Sequence, residues 1–119
     1  SYVRDDGRYV YTESIPSVIS AARTASGSAP PVDSGSYNVV RGLTLAVTAS
    51  SGTTPTLDAR LETSHDKTTW VTVGSFAQKT GAASETKLFS GLDRYVRVAW
   101  TVGGTTPSFT FSVSGGELV

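Results

Sequence analysis

Ser51-Gly52-Thr53-Thr54-Pro55-Thr56 and Gly103-Gly104-Thr105-Thr106-Pro107-Ser108 are two versions of one phrase, each set between alternating apolar runs. Leu43-Thr44-Leu45-Ala46-Val47-Thr48 precedes the first copy and Leu57-Asp58-Ala59-Arg60-Leu61 follows it. Val96-Arg97-Val98-Ala99-Trp100-Thr101-Val102 precedes the second, and Phe109-Thr110-Phe111-Ser112-Val113 follows. Strand, Gly-Thr-Thr-Pro turn, strand reads as a β-hairpin, so the phrase predicts two like hairpins in one small domain. Gly52 and Gly104 supply the positive φ that a tight reversal needs. Pro55 and Pro107 lack an N–H, which places each at a strand start or an edge.

The same period-two alternation runs through most of the chain. Val18 to Thr24 reads as a short first strand, although Ile15, Val18, Ile19 and Ala22 also fit a helical spacing. β-Branched content and the early Ser26-Gly27-Ser28 break favour the strand. Ala29-Pro30-Pro31-Val32-Asp33 is extended, and Ser34-Gly35-Ser36 is a turn. Six further strands are predicted over 37–48, 56–63, 69–76, 85–89, 94–102 and 108–114. Leu43, Leu45 and Val47 share one face, as do Leu57, Ala59 and Leu61, and Phe109, Phe111 and Val113. Val96, Val98, Trp100 and Val102 face opposite to Tyr95, Arg97 and Ala99. Short strands at this spacing predict an all-β fold, a jelly-roll-like antiparallel β-sandwich over residues 17–119.

Composition narrows the function classes. The 119 residues hold 10 Lys plus Arg and 10 Asp plus Glu, so the formal net charge is zero. Without a basic block there is no electrostatic footprint for nucleic acid. No apolar run approaches the length of a membrane span, and the N-terminal residues carry no apolar segment of a secretory signal. With no cysteine, disulfides do not hold the fold.

Residues 1–16 differ in kind. Tyr2, Tyr9 and Tyr11 are interleaved with Arg4, Asp5, Asp6, Arg8 and Glu13, and turn signals are few. The segment reads as an extended N-terminal arm. Tyrosine offers large contact area at low entropic cost, so Tyr2, Arg4, Arg8, Tyr9 and Tyr11 are expected to bind a partner or a neighbouring subunit.

Residues that carry chemistry are few. His65 is the single histidine, in Ser64-His65-Asp66-Lys67-Thr68-Thr69-Trp70. A His beside an Asp is compatible with acid–base or metal chemistry, but neither a nucleophile motif nor a carboxylate cluster accompanies it. The plainer expectation is a solvated turn in which Asp66 bonds backbone amides. No catalytic residue, metal or cofactor is assigned. Trp70 and Trp100 read as core residues first and as a sugar-stacking platform second. Arg94, Tyr95 and Arg97 form a candidate outward aromatic–cation patch.

Two resemblances rest on these residues. Ser64-His65-Asp66-Lys67-Thr68-Thr69-Trp70-Val71-Thr72-Val73, with Arg94-Tyr95-Val96-Arg97-Val98, resembles the signature of discoidin-type and related jelly-roll domains. The wider string is similar to small virion proteins of tailed bacteriophages, several of which decorate or cement the capsid. It runs from Ala22-Arg23-Thr24-Ala25-Ser26-Gly27 through Gly52-Thr53-Thr54-Pro55-Thr56-Leu57-Asp58, Trp70 and Phe89-Ser90-Gly91-Leu92 to Gly103–Val113. That likeness implies a non-enzymatic structural protein on the capsid surface, made in the host cytoplasm and bound to the major capsid protein. It also implies a homo-oligomer, by analogy a trimer. The rival expectations are a glycan-binding module on the virion surface and a head–tail connector or tail component.

Overall fold

The computed structural model describes residues 2–5, 8–11, 16–34 and 41–117, with the backbone alone at 2–5, 8–11, 116 and 117. The fold is all-β. β1 (Tyr2–Asp5) and β2 (Arg8–Tyr11) form a two-stranded antiparallel sheet of their own. The remaining seven strands make one open antiparallel sheet. They are β3 (Val18–Arg23), β4 (Gly27–Ser28), β5 (Val32–Asp33), β6 (Arg41–Ser64), β7 (Val71–Ser75), β8 (Ala83–Phe89) and β9 (Tyr95–Glu117). No helix among the described residues is long and apolar enough to cross a membrane.

Two long strands form the spine. β6 and β9 run antiparallel along their whole lengths, from Arg41 opposite Glu117 to Ser64 opposite Tyr95. β3, β4 and β5 follow one another along the outer edge of β9, and the Ala29 N–H donates to Val98 O at 2.9 Å between them. β7 and β8 line the outer edge of β6 in the same way. The gap between them is bridged by Phe76 N–H to Ala59 O at 2.9 Å and by a two-way exchange between Leu57 and Lys79. The sheet is therefore four rows wide, with β9 and β6 at its centre.

The duplicated phrase is not the tip of two hairpins. Each copy lies in the middle of a continuous strand, and the two copies face each other: Ser51 opposes Ser108, Thr53 opposes Thr105, and Thr56 opposes Gly103. Their backbones match across a local two-fold. Gly52 and Gly104 have φ of 110° and 109°, and Thr54 and Thr106 both have φ of 47°. A positive φ at both residues kinks each strand without reversing its partner. Pro55 and Pro107 sit where the register slips and no ladder donor is required, rather than at a strand start or an edge. Hairpin pairing would have spent the apolar runs on sequence neighbours. The observed pairing spends them on each other's partners across the chain.

At this kink the ladder doubles back. Phe89 lies opposite Arg41 at one end of β6, and Tyr95 lies opposite Ser64 at the other. A straight strand of 24 residues would hold those ends about 75 Å apart. The link Ser90–Arg94 reaches about 23 Å at most. Trp100 and Phe111 make the same point: both lie on β9, yet their ring centroids are 5.5 Å apart. The inward residues on either side of the kink consequently share one core: Leu43, Leu45 and Val47 with Leu57, Ala59 and Leu61, and Val96, Val98 and Trp100 with Phe109, Phe111 and Val113. These are the faces that the alternation predicts. An extra residue at Thr48, where the register slips, keeps Val47 and Leu57 both inward.

Side chains seal the outer edge of β8. Glu85 and Lys87 stand opposite Leu45 and Leu43, so they point to the inner side. Lys87 Nζ donates to Ser75 O at 2.7 Å, and the buried Lys79 Nζ donates to Glu85 Oε1 at 2.5 Å. Inward charges on an edge strand discourage edge-to-edge pairing. The Lys79 hydrogen bond holds the Glu85 carboxyl below its usual range, against the opposing effect of burial.

Several expectations change. The predicted strands over 37–48 and 56–63 are one strand as far as described, with residues 37–40 outside the described residues. Those over 94–102 and 108–114 are likewise one strand. The first strand is present as expected, as β3. Within the predicted arm, β1 and β2 are paired, and residues 1, 6, 7 and 12–15 lie outside the described residues. Asp5 pairs with Arg8 at the end of the ladder.

Candidate functional site

The kink divides the sheet into two halves with unlike outer faces. Beyond the kink, β6 presents Asp58, Arg60 and Glu62 outward, and β9 presents Tyr95, Arg97 and Thr101 beside them. Glu62 is the centre of this face. Its Oε1 accepts from Arg97 Nε at 2.7 Å and its Oε2 from Arg60 Nε at 3.0 Å. Burial pushes the Glu62 carboxyl up, but hydrogen bonds and charge from Arg97 and Arg60 outweigh it, so the group sits below its ordinary range. Arg60 also donates to Thr101 Oγ1 at 3.1 Å.

Aromatic rings frame the charges. The Arg97 guanidinium lies 4.2 Å from the centroid of the Trp70 ring, a cation–π contact. Arg94 and Lys67 approach the Tyr95 ring at 5.1 and 4.7 Å, and Arg94 pairs with Asp33 at 3.1 Å. The candidate patch Arg94, Tyr95 and Arg97 thus lies on one outer face. Arg94 touches Tyr95, whereas Arg97 is engaged by Trp70 and Glu62. Sequence reading missed Glu62 as the bridge, although its two-residue spacing from Arg60 on an alternating strand puts both on one face.

The two tryptophans part company. Trp100 is a core residue whose Nε1 donates to Ala25 O at 3.1 Å. Trp70 is half-buried on the outer face under Arg97 and is not a core residue as expected. Arg23 is a further residue that sequence reading did not single out. Its guanidinium lies 5.0 Å from the Trp100 centroid and 4.7 Å from that of Phe111, and it donates to the carbonyls of Ile19, Ala21 and Phe111. Arg23 and Trp100 line a cleft of about 380 Å³ with Val18, Ile19, Ala29 and Pro30.

The His65 loop takes the form expected of a solvated turn. Asp66 Oδ1 accepts from the N–H groups of Thr68 and Thr69 at 2.8 and 2.9 Å and from Ser64 Oγ at 2.9 Å. Ser64 Oγ in turn accepts from the N–H groups of Asp66 and Lys67. The serine proton is directed at Asp66, while His65 Nε2 lies 3.7 Å from Asp66 Oδ2 on an exposed side chain. Among the described residues, no three of His, Asp or Glu gather as a metal-binding group.

The Thr69 and Thr68 amides, with the Ser64 hydroxyl, hold the Asp66 carboxyl down to about 2. An unfolded aspartate titrates near 3.9, so the folded state binds fewer protons between these values. This contribution to stability is complete above about pH 4 and disappears as the pH falls through about 2. Replacing Asp66 by asparagine is expected to lower the denaturation midpoint at neutral pH, with the difference from the parent closing by about pH 2. A chemical-denaturation series across this range checks it. A constant difference would show that the carboxylate charge is not what the loop uses.

Of the arm residues, the backbone register of β1 and β2 sets Tyr2 opposite Tyr11 and Arg4 opposite Tyr9. Val3 is likewise opposite Val10, and Asp5 opposite Arg8. The alternation of tyrosines was legible in the sequence; the pairing of β1 with β2 was not recognised. No protein-family model matches the chain, and no curated protein matches it.

Proposed function

We propose that this chain is a non-enzymatic structural protein of a phage virion, which decorates the capsid and stabilises it by binding the major capsid protein through its N-terminal ribbon. The observation that carries this reading is the separate β1–β2 sheet. A lone two-stranded hairpin is marginal in water. A ribbon whose register sets Tyr2 opposite Tyr11 and Arg4 opposite Tyr9 gains stability by resting on a partner, and tyrosine and arginine are the residues that anchor protein interfaces. The doubled-back sheet with a single shared core supports the finer fold assignment, a jelly-roll-like β-sandwich, as the rigid body that carries the ribbon. The capsid surface, assembly in the host cytoplasm and a trimeric state belong to the same proposal and come from resemblance.

Removing residues 1–11 tests it. Pro16 is buried and is retained. The truncated protein is expected to keep its β-type circular dichroism and its thermal midpoint, while its affinity for heads stripped of the protein falls by roughly tenfold or more. Undiminished occupancy of the heads would refute the ribbon's role.

A second reading has one observation in its favour. Trp70 lies on an outer face against Arg97, whose partner Glu62 also holds Arg60, a mix of ring and hydrogen-bonding groups that suits a sugar. A glycan array probed with the parent and Trp70→Ala decides it: binding lost in the variant supports a glycan module, and an empty array removes it. A connector or tail position is the third placement, separated from decoration by which virion protein is recovered in a pull-down.

A further inference from the structure

β3 enters its pairing with β9 through a bulge: Val18 opposes Val113 and Ala21 opposes Phe111, three steps on β3 against two on β9. Arg23 folds back over this irregularity. Its Nη1 donates to Ala21 O at 3.0 Å and to Phe111 O at 3.1 Å, and its Nη2 donates to Ile19 O at 2.8 Å. The Trp100 and Phe111 rings lie 5.0 and 4.7 Å from its guanidinium carbon. The side chain is held in place, but its charge has no counter-charge. Arg60, Arg94 and Arg97 each hold a carboxylate. Among the described residues Arg23 meets only neutral carbonyls and rings, and its Nε donates to none of them.

The geometry points to the cleft beside Arg23 as a binding site for a small organic carboxylate, one planar carboxylate group on a compact apolar body. A guanidinium has five N–H donors in a fixed fork. The three bonds to carbonyls leave Nε–H and one Nη2–H, on the neighbouring nitrogens that a carboxylate takes side-on. The walls suit the rest of such a ligand. Val18, Ile19, Ala29 and Pro30 are apolar, Ser17 and Ser28 add hydroxyls, and no second charged side chain lines the cleft among the described residues.

Other ligands fit less well. A phosphate would set up to two negative charges on one arginine, and its desolvation against apolar walls would go uncompensated. A sugar finds no open ring, because Trp100 is 8% exposed and Arg23 lies against it. At about 380 Å³ the cleft has the scale of a small-ligand site and not of a protein interface. Because three carbonyls and two rings already hold Arg23, binding need not order it. The site uses neither the N-terminal ribbon nor a capsid, so it stands apart from the decoration reading.

Titration with phenylacetate, followed by the N–H signals in nuclear magnetic resonance, tests the inference. The pH is about 6, where the carboxylate is ionised, and the ionic strength is constant. Expected is a saturable shift of the Trp100 indole and Arg23 Nε–H signals with a Kd of about 1 mM or below. The Trp70 indole, on the charged outer face, stays still. Phenylacetamide, the same shape without the charge, binds roughly tenfold or more weakly. So does N-acetylglutamate methylamide, whose carboxylate hangs from a peptide backbone, which separates a free molecule from a partner's side chain. Arg23→Gln lowers the affinity for phenylacetate roughly tenfold or more. Ile19→Asp, at a position 83% exposed and outside the core, sets a competing carboxylate at the rim with the same effect, and guards against a folding defect at Arg23. Four results overturn the inference: no saturable shift, equal binding of phenylacetate and phenylacetamide, equal binding of the peptide acid, or undiminished affinity in folded Arg23→Gln and Ile19→Asp.

Discussion

Alanine at Gly104 or Gly52 is expected to cost about 2–4 kcal/mol, more than a glycine-to-alanine change costs in an ordinary strand. Two effects combine. At φ of 109° and 110° an L-residue is strained whatever space it has. Space is also lacking: a Cβ on Gly104 would stand 2.7 Å from Thr54 O, and one on Gly52 would stand 2.7 Å from Thr106 O. The obstacles are carbonyls of the opposing copy of the phrase, so relief requires the paired kinks to separate. For a domain of this size about 1 kcal/mol corresponds to roughly 4 °C, and each variant should melt about 10–15 °C below the parent. Gly91→Ala separates the two effects, because φ there is 73° but nothing lies within 4 Å of a new Cβ. If all three variants melted alike, the close approach of the two phrases would be disproved.

Phe111→Ala should be as damaging, at about 3–5 kcal/mol. The ring is fully buried, meets Trp100 edge-on at 5.5 Å and 76°, and carries the Arg23 guanidinium on its face. Truncation leaves a cavity between the two halves of the doubled sheet and removes one of the two rings that hold Arg23. A double-mutant cycle is more informative than the loss itself. Trp100 and Phe111 should couple by about 0.5–1.5 kcal/mol, the usual value for an edge-to-face pair. In an unkinked β9 they would be about 36 Å apart and would not couple at all. Additive effects in urea denaturation would therefore contradict the doubling back.

The alternation made the inward residues legible, since inward and outward positions differ by one residue and the pattern holds within each half. What alternation does not encode is which run pairs with which. A Gly-Thr-Thr-Pro phrase between two runs carries the same local signal whether its neighbours pair with each other or with distant chain. Here the distant pairing won because the phrase occurs twice, and each glycine gives the other copy's carbonyls the room they need. The Asp66 turn was legible because its hydrogen bonds are local, spanning two or three residues. The Glu62 bridge was not, because Arg97 reaches it across a pairing that only the tertiary fold supplies. The division into a charged and an uncharged outer face was present in the sequence as two long charge-free stretches, Gly42 to Leu57 and Trp100 to Gly116. It acquires meaning only once β6 and β9 are paired, which sets those stretches side by side.

Backbone proton contacts by nuclear magnetic resonance test the kinked, doubled ladder most directly, because paired strands lie about 4.8 Å apart and stacked layers about 10 Å. Close contacts are expected between the backbones of Ala59 and Trp100, Leu45 and Val113, and Ser51 and Ser108. Backbone contacts linking Val47 with Leu57 and Val102 with Phe109 would instead restore two separate hairpins and contradict the account.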